Sequence, residues 1–262
     1  MDSASTKLFT GKIYFASDFH LGIPSHEESL KREKMLVSWL DNIKHDAREI
    51  YLMGDIFDFW FEYRTVVPKG YVRLLGKLAE ITDKGIPVHL FRGNHDIWAF
   101  NYLNKEINIQ IHRKPIIREF NGKHFYLAHG DGLGPGDHGY KLLKKVFECK
   151  FCQWLFSWLH PDIGARMALY LSKKSRLANI LKEGKKDRLN GDYRDEMLYR
   201  YAKGLVDNGL EVDYLIFGHR HLPINEPVSD KTRIVLLGDW LTNFSYAYFD
   251  GSEVSSAFYR AD

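Results

Sequence analysis

Short apolar runs alternate with amphipathic segments along the first half of the chain. Residues 12–17, 49–54 and 87–93 are apolar runs with the length and composition typical of buried strands. Residues 27–44 and 71–84 carry apolar side chains at helical spacing, and a glycine directly follows the second segment. Strands separated by helices in this way predict a mostly parallel sheet with right-handed crossovers.

Further strands are predicted beyond these first elements. Residues 114–120 and 123–130 are apolar runs on either side of Asn121-Gly122, a dipeptide that favours a tight antiparallel turn. Strand patterns then stop and return only near the end of the chain, in residues 212–218, 232–238, 243–250 and 253–259. We interpret the two sets of strands together as a two-sheet α/β core.

Residues 137–208 separate these two sets of strands and have a different character. The segment is helical in pattern and dense in aromatic and basic residues. We predict an α/β fold whose core consists of residues 1–136 and 209–262, with residues 137–208 inserted as a helical cap. Insertions of roughly this length usually carry function rather than fold.

Acidic, amide and histidine side chains follow the predicted strands, directly after the carboxyl end of each. In open α/β sheets this edge is where ligands bind. A single aspartate there is more often a helix cap, and a single histidine is more often an ordinary surface or core residue. Five clusters at five strand ends instead predict one shared site. Its members are Asp18 and His20, Asp55, Asn94, His95 and Asp96, His129, and His219 and His221.

Seven of these side chains offer more oxygen and nitrogen donors than one ion uses, so the set predicts two divalent cations. Without thiolates the donors favour Mn²⁺, with Fe or Zn²⁺ as alternatives, over copper or an iron–sulfur cluster. A shared carboxylate would hold the two ions about 3.5–4 Å apart, which suits in-line attack on phosphorus. The cations would also neutralise the charge that develops on the phosphate. The seven are Asp18, His20, Asp55, Asn94, His129, His219 and His221.

Charge and cysteine content limit the remaining classes. The net charge is only +3, which argues against general coating of nucleic acid. The first twelve residues contain no apolar signal segment, and no apolar run has the length of a spanning helix. The two cysteines, Cys149 and Cys152, form no disulfide framework, and we expect plain thiols within a helical stretch of a cytoplasmic protein. The sequence does not indicate an oligomeric state.

Taken together, the five clusters resemble the calcineurin-like metallophosphoesterases in residue type, order and spacing. The matching runs are Asp18-x-His20, Gly54-Asp55, Gly93-Asn94-His95-Asp96, His129 and Gly218-His219-x-His221. The resemblance implies a two-sheet αββα sandwich with a dinuclear metal site. It implies that one ion is held by Asp18, His20, Asp55 and His221, and the other by Asp55, Asn94, His129 and His219, with Asp55 shared.

The same resemblance implies catalytic roles for the two residues beside Asn94. His95 would stabilise the transition state or protonate the leaving oxygen, and Asp96 would orient His95. The alternative of a binding scaffold that keeps this fold without metals is disfavoured, because such a protein is expected to have lost some ligands and all seven are present.

The cap gives a finer resemblance to the UDP-2,3-diacylglucosamine hydrolases of lipid A biosynthesis, which carry a helical insertion in the same place. This similarity implies cleavage of the diphosphate to UMP and 2,3-diacylglucosamine 1-phosphate. It implies substrate contacts for Asn94, Asp137, Tyr140, Ser175, Asn179 and Lys182. His95 and Ser172 stand where those hydrolases usually carry arginine.

Apolar residues of the cap support a lipid substrate independently. Phe147, Phe151, Trp154, Leu155 and Trp158 follow helical spacing, and further apolar neighbours widen the stripe. The face predicts an acyl-chain groove or a peripheral contact with the inner membrane. The alternatives are a helix that simply packs on the core, and a phosphoesterase for soluble substrates such as dinucleoside polyphosphates or phosphoproteins. A nuclease fits poorly with an apolar cap and so small a charge.

Overall fold

Two β-sheets lie face to face at the centre of the molecule in the computed structural model. The structure describes residues 10–134, 138–183 and 192–260, without the side chains of residues 174–183. Its strands are β1 Lys12–Ala16, β2 Ala47–Leu52, β3 Val88–Phe91, β4 Gln110–His112, β5 Ile116–Phe120, β6 Lys123–Ala128, β7 Tyr214–Phe217, β8 Pro223–Pro227, β9 Arg233–Leu237, β10 Ser245–Phe249 and β11 Val254–Phe258.

The first sheet has the order β11-β10-β1-β2-β3-β4, and the second has the order β5-β6-β7-β9-β8. Strands β1 to β4 run parallel, as do β6, β7 and β9, whereas the strands toward the remaining edges pair antiparallel. The predicted antiparallel pair is β5 with β6. The carboxyl ends of the parallel strands of both sheets therefore supply the loops that carry the predicted site.

Helices flank the two sheets, and three further helices belong to the inserted segment. The helices are α1 His26–Ile43, α2 Val72–Asp83, α3 Tyr102–Ile107, α4 His138–Glu148, α5 Lys150–Ser157, α6 Pro161–Glu183 and α7 Met197–Asp207, with a 3₁₀ turn at Tyr193–Asp195. The sequence pattern did not predict α3, β4 or β8. Strand β4 has only three residues and β8 begins and ends in proline, so neither shows the apolar alternation of a longer strand.

Alternation along β1 explains the layering. Ile13 and Phe15 face the second sheet and pack with Phe125 and Phe249, while Tyr14 lies in the core between the first sheet and its helices. The period of two in a strand sends successive side chains to opposite faces, so one strand contributes to two cores. The predicted two-sheet sandwich with helices outside is confirmed.

Helix α7 packs on the second sheet. Its residues Leu198 and Ala202 are fully buried against Leu215 and Phe217 of β7. This helix lies inside the range predicted for the cap, but its contacts are those of a core helix. The boundaries of the cap remain predictions.

The rest of the inserted segment forms α4, α5 and α6, and its apolar face divides in two. Phe147 and Phe156 pack against a core cluster that includes Trp98. Trp154 and Trp158 point outward and are 55% and 74% exposed. Packing on the core and an open apolar face therefore both occur, on different sides of the same helices. Within the described ranges every helix is too short or too polar to span a lipid bilayer.

The sequence pattern predicted both cysteines inside one helical stretch, but the structure does not place them in one helix. Helix α4 ends before Cys149 and α5 begins after it. Cys149 is the N-cap residue of α5 and has an extended backbone conformation. Cys149 and Cys152 are both free thiols.

Removing the side chain of Leu198 tests the assignment of α7 to the core. Leu198→Ala should lower the free energy of unfolding by about 2–5 kcal/mol, because the cavity lies between a helix and a rigid sheet. Leu142→Ala, at an exposed position of α4, is the matched control. It should change the free energy of unfolding by less than about 0.5 kcal/mol. Denaturant unfolding measures both values. Equal stabilities for the two variants would contradict the packing of α7.

Candidate metal centre

The predicted site residues converge where the two sheets meet at their carboxyl edges. Asp18 and Asp55 follow β1 and β2 of the first sheet, while His129 and His219 follow β6 and β7 of the second. Backbone bonds join the neighbouring loops, since the Asp18 amide donates to the carbonyl of Gly54 at 3.0 Å. The site is thus built from both halves of the sandwich.

Strained backbone directs several of these side chains inward. Asp18, His20, Asp55, His219 and His221 all have positive φ angles, between 44° and 69°. Non-glycine residues adopt this left-handed region rarely, at a cost on the order of 1–3 kcal/mol each, and such residues cluster at functional sites. The folded core must stabilise this arrangement.

A buried arginine supports the first of these loops. The guanidinium of Arg32, on α1, donates hydrogen bonds to the carbonyl oxygens of Phe19 and His20 at 2.7 Å and of Ile23 at 2.5 Å. These three bonds fix the backbone on either side of the His20 side chain. Arg32 was not singled out from the sequence, because nothing local to an amphipathic helix marks one arginine among its charged residues.

Two glycines allow the loops to approach closely. A Cβ atom on Gly93 would lie 2.1 Å from Oδ1 of Asp55, and one on Gly54 would lie 2.4 Å from Nδ1 of His129. Real Cβ atoms do not come so near, so only glycine fits at these positions. Each glycine precedes or neighbours a predicted ligand in the sequence, which explains the repeated Gly-Asp and Gly-Asn pattern.

One cluster contains Asp18, His20 and His221, with ligand atoms that lie within 4.8 Å of one another. Oδ1 of Asp18 lies 3.3 Å from Nε2 of His221 and 3.7 Å from Nε2 of His20. The two histidine nitrogens are 3.2 Å apart. Three donors are thus directed at one small volume.

A second cluster contains Asp55, His129 and His219, again within 4.8 Å. Oδ2 of Asp55 lies 3.4 Å from Nε2 of His129 and 3.9 Å from Nε2 of His20. The same oxygen therefore lies between the two clusters. The amide of His95 donates to the other oxygen of Asp55 at 2.9 Å and so fixes the carboxylate in this orientation.

Buried donor atoms without a hydrogen-bond partner show that these residues fit cations. Among the described residues, such atoms include Oδ1 of Asp18, Oδ1 of Asn94 and Nε2 of His129. Leaving a buried polar atom unpaired costs about 1–3 kcal/mol, more for a charged group. A cation in each cluster would satisfy them, which is the arrangement expected of a metal centre.

The remaining ring nitrogens of two histidines are held by the protein. Nδ1 of His129 contacts the carbonyl oxygen of Met53 at 2.7 Å, and Nδ1 of His221 contacts Oδ2 of Asp239 at 3.1 Å. Such contacts orient metal-ligating histidines and set their tautomer. The sequence analysis missed Asp239, although Gly238-Asp239 follows β9 in the same way that Gly54-Asp55 follows β2.

Electrostatics at the centre favour positive charge. Burial raises the pKa of Asp18 and Asp55, but the neighbouring histidines outweigh it and hold both well below the usual range. Burial lowers the pKa of His129 and His221, yet the carboxylates raise each to about 10. Protonated imidazoles thus compensate the carboxylates in the free chain. Divalent cations would take over that role and displace the protons, because histidine binds metal in its neutral form.

The expectation that Asp96 orients His95 is wrong. Both oxygens of Asp96 are used elsewhere, accepting from the amides of Gly93 at 2.7 Å and Ile56 at 2.8 Å. Asp96 therefore shapes the loop, and burial raises its pKa to about 6. The sequence neighbour of His95 turns away from its ring because adjacent side chains in a tight loop diverge.

Asp58 occupies the place predicted for Asp96. Nδ1 of His95 lies 3.0 Å from the carbonyl oxygen of Asp58 and 3.4 Å from its Oδ1. A carbonyl only accepts, so this contact places the proton of His95 on Nδ1. The sequence signal for Asp58 was its position three residues after Asp55, in the run Gly-Asp-x-x-Asp.

Among the predicted substrate contacts, Tyr140 lies beside the centre. Its hydroxyl donates to Oδ2 of Asp131 at 2.5 Å, and Nζ of Lys144 reaches the same oxygen at 2.8 Å. Asp131 follows His129 by two residues, so these bonds tie α4 to a metal-site loop. Asn94 lies in the centre itself, where its Oδ1 is buried without a hydrogen-bond partner among the described residues. The four remaining candidates lie outside the described residues or have side chains that do: Asp137, Ser175, Asn179 and Lys182.

Comparison with known proteins agrees with this geometry. A model of the calcineurin-like phosphoesterase family matches residues 11–223 of the chain. The match covers most of the sequence, from β1 to the start of β8, so the protein belongs to this family and is a hydrolase.

The chain is also similar to curated members of one branch of this family. It is 41% identical over 256 residues to a UDP-2,3-diacylglucosamine hydrolase of Porphyromonas gingivalis, covering 92% of this chain and 95% of that protein. It is 26% identical over 233 residues to a UDP-2,3-diacylglucosamine hydrolase of Histophilus somni, covering 87% of this chain and 92% of that protein. The similarity therefore extends through the cap as well as the core.

Adding one methyl group at Gly93 tests the close packing of the loops. In Gly93→Ala the new Cβ must displace the Asp55 carboxylate, so we expect at least about a tenfold loss of Mn²⁺ affinity by calorimetry. Gly76→Ala is the matched control, since nothing lies within 4 Å of that position in α2. It should keep the affinity and stabilise the helix by up to about 1 kcal/mol. Unchanged affinity in Gly93→Ala would contradict the close approach of this loop to the Asp55 carboxylate.

Proposed function

We propose that this protein hydrolyses the diphosphate of UDP-2,3-diacylglucosamine to UMP and 2,3-diacylglucosamine 1-phosphate, a step of lipid A biosynthesis. The observation that carries the proposal is 41% identity to a UDP-2,3-diacylglucosamine hydrolase over 92% of the chain, cap included. Identity across the insertion matters because the metal centre is common to many phosphoesterases. Differences between substrates are expected in the cap.

We propose that the centre holds two divalent cations. Mn²⁺ is the preferred ion, and Fe or Zn²⁺ are the alternatives. One would be held by Asp18, His20, Asp55 and His221, and the other by Asp55, Asn94, His129 and His219. The position of Asp55 Oδ2 between the two clusters supports its shared role. When bound, such ions activate a water molecule and neutralise charge on a phosphate.

The protein residues around the ions have roles that follow from their placement. His95 lies against His20 with ring centroids 4.7 Å apart, at the edge of both clusters. With Nδ1 held by Asp58, its other ring nitrogen is the one available to a phosphate oxygen. We propose that His95 there stabilises the transition state or protonates the leaving oxygen.

The apolar face of the cap supports a lipid-linked substrate and a peripheral position at the cytoplasmic side of the inner membrane. Trp158 is the most exposed of these aromatic residues, and tryptophan is favoured at the boundary between water and lipid. The exposed large apolar residues of α5, its C-cap and the described side chains of α6 are Phe151, Trp154, Leu155, Trp158, Ile163, Met167, Leu169, Tyr170 and Leu171. Burying them in acyl chains would remove a large apolar area from water.

Release of UMP tests the proposed reaction directly. Purified protein with Mn²⁺ should convert UDP-2,3-diacylglucosamine to UMP and the lipid phosphate, both measured by mass spectrometry. Asp55→Ala should lower the rate by at least about a thousandfold, because it removes a ligand from both clusters.

Two outcomes of that assay separate the claims. Cleavage of diadenosine polyphosphate or bis(4-nitrophenyl) phosphate without UMP release would overturn the lipid substrate and leave the metal centre standing. Full activity in Asp55→Ala would overturn the shared ligand itself.

Binding to lipid vesicles tests the apolar face. The double variant Trp154→Ser/Trp158→Ser should bind vesicles of anionic phospholipid at least about tenfold more weakly in sedimentation, because two large apolar side chains are lost. Ile117→Ser/Phe258→Ser removes two similarly exposed apolar residues from the sheets and is the matched control. Equal binding by both double variants would place membrane contact elsewhere.

A further inference from the structure

Helix α6 lies on the core through small residues. Ala165 and Ala168 pack against the cluster of Phe59, Phe61, Ile97 and Trp98. A Cβ atom on Gly164 would lie 2.4 Å from the hydroxyl oxygen of Tyr63 in the core. The small side chains let this helix approach the aromatic surface closely, and they fix its rotation about its own axis.

The same face of α6 continues to Ser172. Positions 165, 168 and 172 are spaced by three and four residues, so they lie along one side of the helix. Oγ of Ser172 donates to Oδ2 of Asp58 at 3.0 Å and lies 3.4 Å from Nδ1 of His95. A side chain of the cap thus contacts the pair that holds the proposed catalytic histidine.

Asp58 connects several parts of the centre. It is only 3% exposed, and its Oδ1 lies 3.3 Å from Nδ1 of His20 and 3.4 Å from Nδ1 of His95. A carboxylate with one oxygen on two histidines is oriented by what its second oxygen contacts. The hydroxyl of Ser172 is such a contact, and a hydrogen bond to a buried charged group is among the stronger ones in proteins.

We propose that Ser172 is a positioning residue: through its hydroxyl group, the position of α6 on the core determines the orientation of Asp58 and His95. The inference rests on the proposed phosphoesterase activity of the centre. It makes α6 part of the catalytic apparatus as well as of the substrate site. With α6 packed on the core as it is here, the hydroxyl holds the Asp58 carboxylate, and His95 keeps the position from which it would act on a phosphate.

Removal and restoration of the hydroxyl test this role. Ser172→Ala should lower kcat about tenfold with KM nearly unchanged, since the lost bond orients a catalytic group and touches no substrate. Ser172→Thr keeps a hydroxyl and should recover most of the rate. The matched control Ser157→Ala removes an exposed hydroxyl that bonds only within its own helix, and it should keep full activity. Ser172→Ala should melt only a few degrees lower, as expected for one lost hydrogen bond, whereas Ser157→Ala should melt like the unsubstituted protein.

The pathway through Asp58 is tested by a double-mutant cycle. In an Asp58→Asn background, Ser172→Ala should change kcat by less than about twofold, because the group through which it acts is already altered. Additive losses would overturn the proposal, as would an effect confined to KM or full kcat in Ser172→Ala.

Two substrates keep this inference separable from the lipid substrate. The variants are assayed with bis(4-nitrophenyl) phosphate and with UDP-2,3-diacylglucosamine. Suppose that Ser172→Ala loses kcat on the small diester and that the unsubstituted protein does not turn over the lipid. This result would support the role of Ser172 and overturn the proposed function. Normal turnover of both substrates by Ser172→Ala would overturn the inference and leave the proposed function intact.

Discussion

Two carboxylates, Asp18 and Asp55, are buried side by side where the sheets meet, and compensating their charge is the constraint on which the rest of the structure depends. Each has one oxygen tied to a loop amide, Asp18 to that of His219 at 2.8 Å and Asp55 to that of His95 at 2.9 Å. The second oxygen of each carboxylate faces the histidines. Removing a charge from water costs several kcal/mol, so such a pair persists only where cations or protonated imidazoles replace the lost hydration.

This constraint explains why the surrounding backbone is unusual. Side chains at the ends of parallel strands normally diverge, and bringing five loops to one point requires left-handed residues and glycines. Gly218 shows the degree of crowding, because a Cβ there would lie 2.7 Å from Oδ2 of Asp18. Two packed sheets and buried residues such as Arg32 supply the rigidity that holds these loops. The strain is local, whereas the stabilisation is spread through the core.

The sequence predicts those features of the site that depend on neighbouring residues in the chain, and it does not predict those that depend on contacts between distant loops. An apolar run followed by an acidic, amide or histidine residue marks a strand and the residue at its carboxyl end, so the seven candidate ligands could be predicted from local sequence. The direction of a side chain in a tight loop is not local. Asp96 was therefore assigned to His95, although Asp58, distant in sequence, makes the contact. Asp239 was missed because its role exists only through His221 on another loop.

The division between core and cap is equally difficult to predict from pattern. Helix α7 is amphipathic like its neighbours, and only its burial on β7 shows that it belongs with the sheets. Cys149 lies in a continuous aromatic and basic stretch, and the break before α5 becomes visible only in three dimensions. Helical periodicity predicts that a segment is a helix, but not which surface the helix covers.

The anchors of the cap join it to the loops of the candidate metal centre. Nε1 of Trp98 donates to the carbonyl oxygen of Phe147 at 2.9 Å, and Tyr140 donates to Asp131. Trp98 and Asp131 lie in the loops that also carry His95 and His129. A cap held by the metal-site loops cannot shift without moving them, because packed interiors transmit small displacements. A displacement of α4 would therefore reach Asp131 and Trp98, and through their loops His129 and His95.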